Sequence, residues 1–398
     1  MKKAIVTGLG CLTALGNNVP QFWDGLVAGC SGIAPVRGFD REFMRNGSAG
    51  EIQLSPQMRD YARRAGISSR LELFATLAVD EALKQSRLEP KDIRERTVGL
   101  VMGVSLGMSL VKEGLEAVNE NADASEETFD DLSDLAGNVA DRFGIQGEAL
   151  TVSTACAGGT NAIGIARDMI QFDGYDAVIC GGADTLDRMK YLGHSALNTL
   201  TPTRIQPFAA ERDGTIFGEG AGMLVLESGD GLNGRAPLAV CSGSGFSCDA
   251  HHITAPDPAG AGATHAMREA LREARLSPRE IDYINLHGSG TPHNDAVECL
   301  AISAVFGSAA SSLPVSSVKA AIGHAMGAAG ACEAVATVLS LVHQQVPPTV
   351  NTQVKDPAFP VHLVCGTAID WKIEHALSNS FGFGGCNGAV VFSKWRPR

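Results

Sequence analysis

The 398-residue chain has no Cys-x-x-Cys pair among its 10 cysteines, no His-x-x-x-His pair among its 10 histidines, and no low-complexity tract. The first absence excludes zinc ribbons and thioredoxin-type redox motifs. The second excludes the helix-borne histidine pair of a zinc hydrolase. The nearest cysteines, Cys241 and Cys248, are too far apart in sequence for either motif, and a chain of this length does not look like a disulfide scaffold. Free thiols in a reducing, cytoplasmic setting are the simplest expectation. An excess of basic residues is also missing: 32 Lys and Arg stand against 44 Asp and Glu, a net charge of −12. Affinity for a phosphate backbone rests on Lys and Arg, so a nucleic-acid partner is not expected. The N-terminal stretch has two lysines but no apolar core of signal-peptide length. One segment, residues 322–342, is apolar enough to test as a membrane span. It contains His324, Glu333 and three glycines, which favours a buried helix over a span.

What is present is a chain with 44% hydrophobic residues, 46 glycines and 17 prolines, enough for a large core with many tight turns. Apolar runs at 3–7, 98–104, 150–154, 177–181 and 222–227 read as buried strands. A second series follows at 236–243, 281–286, 313–316, 375–379 and 388–392. Helical periodicity lies between them at 71–83, 157–170, 263–274, 294–305 and 324–342. Fully apolar strands alternating with helices imply an α/β fold whose parallel sheets are covered on both faces. Residues 229–234 divide the chain by composition into halves 1–230 and 231–398; no sequence repeat shows a duplication. Residues 113–135 are strongly acidic and read as a solvated excursion. Gly8-Leu-Gly10 after the first strand looks like a dinucleotide fingerprint, but Thr13 stands where its third glycine belongs.

Four segments carry chemistry. Val152-Ser-Thr-Ala-Cys156-Ala-Gly-Gly places a cysteine between a strand and a helix of small residues. A helix N-terminus carries roughly +0.5 charge, which favours a thiolate, and its N–H groups can hold an oxyanion. Ile284-Asn-Leu-His287-Gly-Ser289-Gly-Thr291 ends an apolar strand on a histidine flanked by hydroxyls, with Asp295 and Glu298 close behind. Open α/β sheets place ligands at such strand ends. Lys319-Ala-Ala-Ile-Gly-His324 precedes a helix of small residues, and a lysine in so apolar a segment needs a partner, for which Glu333 is the candidate. Asn379-Ser-Phe381-Gly-Phe383-Gly-Gly-Cys386 is a glycine loop whose N–H groups can face a ligand.

These segments, in this order and spacing, together with Arg212-Asp213-Gly and Phe217-Gly-Glu-Gly-Ala-Gly222, resemble the elongating β-ketoacyl-acyl carrier protein synthases over nearly the whole chain. The resemblance implies the thiolase fold, two duplicated halves stacked as α-β-α-β-α layers. It implies that Cys156 carries the acyl group, that His287 and His324 hold the enolate left by malonyl decarboxylation, and that Cys156 and Phe383 supply the oxyanion N–H groups. Lys319 is expected to orient His324 and pair with Glu333, while Asp295 and Glu298 match positions that order water. Phe383 matches a gating phenylalanine at the acyl pocket. Thr254, Ser289 and Thr291 match pantetheine contacts, with Ser289 replacing the usual threonine and Ala255 replacing a common hydroxyl. Val104, Leu106, Met108 and Leu200 are pocket candidates, and Cys386 stands where threonine is common. No metal or cofactor is implied, since the substrates ride on the phosphopantetheine of an acyl carrier protein. Carrier proteins of this kind are acidic, which makes Arg63, Arg64 and Arg70 the docking candidates. A homodimer or a heterodimer with a chain-length-factor-like subunit is implied. The alternative, a non-catalytic chain-length-factor-like partner, would lack the cysteine. The acidic stretch 111–140 favours a specialised polyketide or polyene pathway over housekeeping fatty-acid elongation.

Overall fold

A computed structural model describes residues 2–106, 132, 134–230, 232 and 237–396. Eleven strands form one continuous sheet in the order His362–Leu363, Pro314–Ser316, Tyr283–Asn285, His375–Phe381, Cys386–Ser393, Ala239–Cys248, Ala4–Thr13, Gly220–Ser228, Ala177–Asp184, Val98–Gly103, Ala149–Val152. The order conceals a repeat. In the first half, Ala4–Thr13 pairs antiparallel with Gly220–Ser228, which pairs antiparallel with Ala177–Asp184; Val98–Gly103 and Ala149–Val152 then follow in parallel. In the second half, Ala239–Cys248, Cys386–Ser393, His375–Phe381, Tyr283–Asn285 and Pro314–Ser316 repeat the same sequence of senses. The halves join through Ala4↔Cys241, Ile5↔Val240 and Val6↔Ala239.

Five layers result. Helix Arg70–Ser86 covers the outer face of the first half, and Ala261–Ala274 with Pro292–Phe306 covers that of the second. Between the two halves of the sheet lie Gly158–Gln171 and Ala329–His343, packed on each other and on strands of both halves. Met326–His343 is long and apolar enough to cross a membrane by length and composition, but 89% of that window is buried inside the protein.

The first strand runs further than its apolar pattern predicts, through Gly8 and Gly10 to Thr13. Gly8 and Gly10 lie within the strand. A Cβ on Gly8 or Gly10 would collide with the carbonyls of Ala82 and Ala78, so their missing side chains let helix Arg70–Ser86 lie against the strand. Gly243 and Gly245 do the same for Ala270 and Ala266 in the second half. The duplication is therefore written as a Gly-x-Gly on the first strand of each half.

Candidate active site

Repetition also builds the site. Cys156 follows the fifth strand of the first half, and His324 follows the equivalent strand of the second. Each sits by a short 3-10 turn, Ala155–Ala157 or Met326–Ala328, that opens with a non-glycine residue in the left-handed region: Ala155 at φ 48° and Met326 at φ 50°. Each turn leads into one of the two central helices, and the packing of those helices brings the turns together. Cys156 Sγ lies 3.1 Å from His324 Nε2. The predicted helix at 324–342 consequently starts only at Ala329, because the chain around His324 is spent on this turn.

His287 leaves the end of strand Tyr283–Asn285 with its ring 5.3 Å from that of His324, edge to face. Both imidazoles have their Nδ1 engaged. Met326 N–H donates to His324 Nδ1 at 3.2 Å, and the Lys319 ammonium lies 3.2 Å from His287 Nδ1. An accepting Nδ1 leaves the proton on Nε2, so both rings carry an Nε2–H donor, that of His324 facing the sulfur. Burial, reinforced by Lys319, pushes both histidines well below their usual range, so both are neutral. Lys319 does not orient His324 as expected: its ammonium reaches His287 Nδ1, the His287 carbonyl and Glu333 Oε1. The pairing with Glu333 is present, on side chains that are each 1% exposed.

The thiol of Cys156 is pushed up to about 11 by burial; Lys319 and the Phe383 N–H beside the sulfur pull the other way, without overcoming it. The helix N-terminus is in place, yet the free thiol stays protonated at neutral pH. The N–H of Phe383 faces the Cys156 sulfur.

Asp295 and Glu298 both accept from backbone N–H groups. Glu298 accepts the N–H groups of His287 and Gly288, each at 2.8 Å, and Asp295 accepts those of Phe208 at 2.8 Å and Gly290 at 3.2 Å. Both carboxylates brace the backbone of the histidine loop. Burial raises Glu298 to about 7. Ser289 and Thr291 bond each other at 2.8 Å, and Thr254 bonds His252 Nδ1 through its N–H at 3.1 Å. Val104 and Leu200 are buried, Leu106 is exposed, and Met108 lies outside the described residues, as does most of the 113–135 stretch. Arg63 and Arg64 are exposed and pair with Asp60 on their own helix. Arg70 is not available for docking: its half-buried guanidinium is held by Glu219, the Ile52 carbonyl and the Phe74 ring.

Two site residues escaped the sequence reading. Asp184 ends strand Ala177–Asp184 and accepts from Ser105 N at 3.0 Å, Gly327 N at 2.9 Å and Lys190 Nζ at 2.8 Å, tying the Met326–Ala328 turn to helix Arg188–Ala196 and to the segment after Val98–Gly103. An acidic residue closing a fully apolar strand was the available signal. His194, on helix Arg188–Ala196, stacks on Phe383 with centroids 5.4 Å apart and meets Phe217 edge-on at 4.5 Å. Phe217 in turn touches the His324 ring. Burial lowers His194 to about 4, so it serves as a neutral aromatic plate. Nothing local in the sequence marks it.

The β-ketoacyl synthase N-terminal domain matches residues 1–230, and the β-ketoacyl synthase C-terminal domain matches 238–353. The chain belongs to the β-ketoacyl synthase family. A 3-oxoacyl-[acyl-carrier-protein] synthase 2 of Synechocystis sp. is 34% identical to this synthase over 410 residues, covering 99% of each chain. Among solved structures, the ishigamide ketosynthase/chain length factor is 31% identical with a TM-score of 0.88, over 99% of this chain and 100% of that one. The ketosynthase ApeO, in complex with its chain length factor ApeC from Xenorhabdus doucetiae, is 31% identical with a TM-score of 0.81, over 99% and 98%. The synthase is thus a condensing acyltransferase of the thiolase fold.

Proposed function

We propose that this synthase joins an acyl unit held on Cys156 to a malonyl unit on an acyl carrier protein, releasing CO2 and leaving a β-ketoacyl carrier protein. One observation carries the mechanism: the two histidines beside Cys156 are neutral Nε2–H donors rather than bases. A condensation that forms its carbanion by decarboxylation removes no proton and needs donors, not a base. Cys156 first attacks the acyl thioester; its proton passes to the departing phosphopantetheine sulfur. Malonyl then loses CO2, and the enolate oxygen accepts from the Nε2–H groups of His287 and His324. The carbanion attacks the Cys156 thioester, whose oxyanion is held by the N–H groups of Cys156 and Phe383, each worth roughly 3 kcal/mol. Collapse of that adduct expels the Cys156 thiolate, which takes a proton from solvent to regenerate the thiol. Lys319, braced by Glu333, fixes the tautomer of His287.

No cofactor is needed beyond the phosphopantetheine arm of the substrates, to which Thr254, Ser289 and Thr291 are assigned as contacts. The cytoplasm, where carrier protein and free thiols coexist, is the expected location. The presence of Cys156, His287, His324 and Lys319 together argues against a chain-length-factor-like role. The likeness to two ketosynthases that occur with chain length factors supports a specialised polyketide or polyene pathway, with this chain as the active subunit of a dimer. The test is a mass-shift assay with acyl carrier proteins bearing primers of graded length and unsaturation. An acyl adduct is expected on the wild type and none on Cys156→Ala; no adduct on the wild type with any primer would sink the reading. Copurification with a second, cysteine-free synthase-like chain tests the heterodimer.

A further inference from the structure

Outside the catalytic cluster, two cysteines oppose each other across adjacent antiparallel strands. Cys248 ends Ala239–Cys248, Cys386 begins Cys386–Ser393, and the two are register partners. The next pair along carries a ladder hydrogen bond, Asp249 N–H to the Gly385 carbonyl at 2.9 Å. Hydrogen-bonded and non-hydrogen-bonded pairs alternate, so Cys248 and Cys386 form the non-hydrogen-bonded kind, with Cα atoms about 4.5 Å apart. That separation falls within the span of a disulfide. Their sulfurs converge on one residue: Cys248 Sγ lies 3.6 Å from the Gly384 carbonyl, and a Cβ on Gly384 would lie 3.8 Å from Cys386 Sγ. Cys248 is exposed and Cys386 partly so, whereas Cys11, Cys180, Cys241, Cys299 and Cys332 are buried.

We propose that Cys248 and Cys386 form a reversible disulfide that tethers the Phe383 loop and slows acylation of Cys156. The oxidant is a peroxide. The thiolate of exposed Cys248 attacks one peroxide oxygen, the O–O bond breaks, and a sulfenic acid and one water form once the departing oxygen is protonated. Cys386 sulfur then attacks the sulfenic sulfur and expels the second water. In sum, two thiols and one hydrogen peroxide give one disulfide and two waters. Burial holds the Cys386 thiol up, which makes it the slower, resolving partner.

The consequence for the site follows from connectivity. Gly384 directly follows Phe383 and is held by its N–H on the Ile253 carbonyl at 2.8 Å and by the Cys248 thiol on its own carbonyl. Oxidation removes that thiol donor and replaces it with a covalent tie at the end of the loop. Phe383 carries both the oxyanion N–H and the ring stacked on His194, so a loop with less freedom alters access to Cys156.

The experiment treats the full chain with graded hydrogen peroxide, alkylates remaining thiols and maps peptides by mass spectrometry without reductant. A cross-linked peptide containing Cys248 and Cys386, lighter by two hydrogens, is expected at peroxide doses that leave the buried cysteines alkylatable only after unfolding. The acyl-loading rate of Cys156 is expected to fall several-fold and recover with dithiothreitol. Cys156 can itself be oxidised, so the same loading assay is run on Cys248→Ser and Cys386→Thr, which are expected to lose distinctly less. Failure to cross-link at doses that already oxidise Cys156 overturns the site. A cross-link with wild type and variants losing activity equally overturns the regulatory role. The cross-link does not depend on the condensing activity, whereas the loading readout rests on it.

Discussion

Lys319 Nζ stands 3.2 Å from His287 Nδ1 while also holding the carboxylate of Glu333. In the proposed mechanism Lys319 positions the enolate donor, and its two contacts separate by mutation. Lys319→Met is expected to lower malonyl decarboxylation about 10²-fold, the scale of losing one aligned donor. Acyl loading of Cys156 should fall less. The substitution also leaves Glu333 buried and unpaired, which costs roughly 3–5 kcal/mol in denaturant unfolding. Adding Glu333→Gln should recover much of that stability but not the decarboxylation. Recovery of both would place Lys319 in a purely structural role.

The thiol of Cys156 at about 11 sets a pH dependence. Only the thiolate alkylates, so the rate of iodoacetamide labelling at Cys156 should climb about tenfold per pH unit through neutral pH and flatten only near 11. Lys319→Met, by removing a nearby positive charge, should move the curve to still higher pH. A plateau below pH 8 would mean that the helix terminus and its N–H donors outweigh burial.

Glu298 sits at about 7 in the folded protein against 4.5 for an ordinary glutamate. A raised pKa means the folded state holds the proton longer than the unfolded one. The group's stabilising contribution is full below 4.5 and is lost as pH rises to about 7. At 1.36 kcal/mol per unit the loss is about 3 kcal/mol. The stability of wild type relative to Glu298→Gln should decline by up to that amount across this window, read from urea midpoints; a constant difference would mean that the carboxylate is ionised throughout.

The docking assignment now rests on Arg63 and Arg64, both exposed on one helix, because Arg70 is committed inward. Arg63→Glu with Arg64→Glu should weaken acyl carrier protein binding and flatten its salt dependence while leaving thermal stability nearly unchanged. Arg70→Ala should instead destabilise the protein, since it strands the buried Glu219 carboxylate. Equal carrier-protein affinity in the double reversal would move docking elsewhere.

The residues proposed to be catalytic were legible in the sequence because Cys156, His287 and His324 each follow an apolar run and stand beside glycine or other small residues. Which partner each one takes was not. Lys319 lies five residues from His324 in sequence, and its reach to His287 instead comes from the parallel pairing of Pro314–Ser316 with Tyr283–Asn285. His194 was invisible for the same reason: its contact with Phe383 joins segments far apart in the chain, and its helix has no pattern that announces a site. The first strand was read too short because a glycine can mean either a turn or a close approach, and only the neighbouring helix decides.

Gly10 and Gly245 occupy corresponding positions in the two halves, each facing a helix carbonyl, Ala78 or Ala266, too closely for a Cβ. If close packing of these helices is what the glycines provide, Gly10→Ala and Gly245→Ala should each cost about 1–3 kcal/mol, by forcing helix from strand. The two sites share no partner, so their costs should add in the double variant to within about 0.5 kcal/mol. Gly137, in helix Asp134–Phe143 with open space around it, is the control: Gly137→Ala should stabilise by up to about 1 kcal/mol from helix propensity alone. Denaturant midpoints with unchanged slopes would make the comparison one of native packing. A neutral Gly10→Ala would mean that the strand, not the absent side chain, determines how near the helix lies.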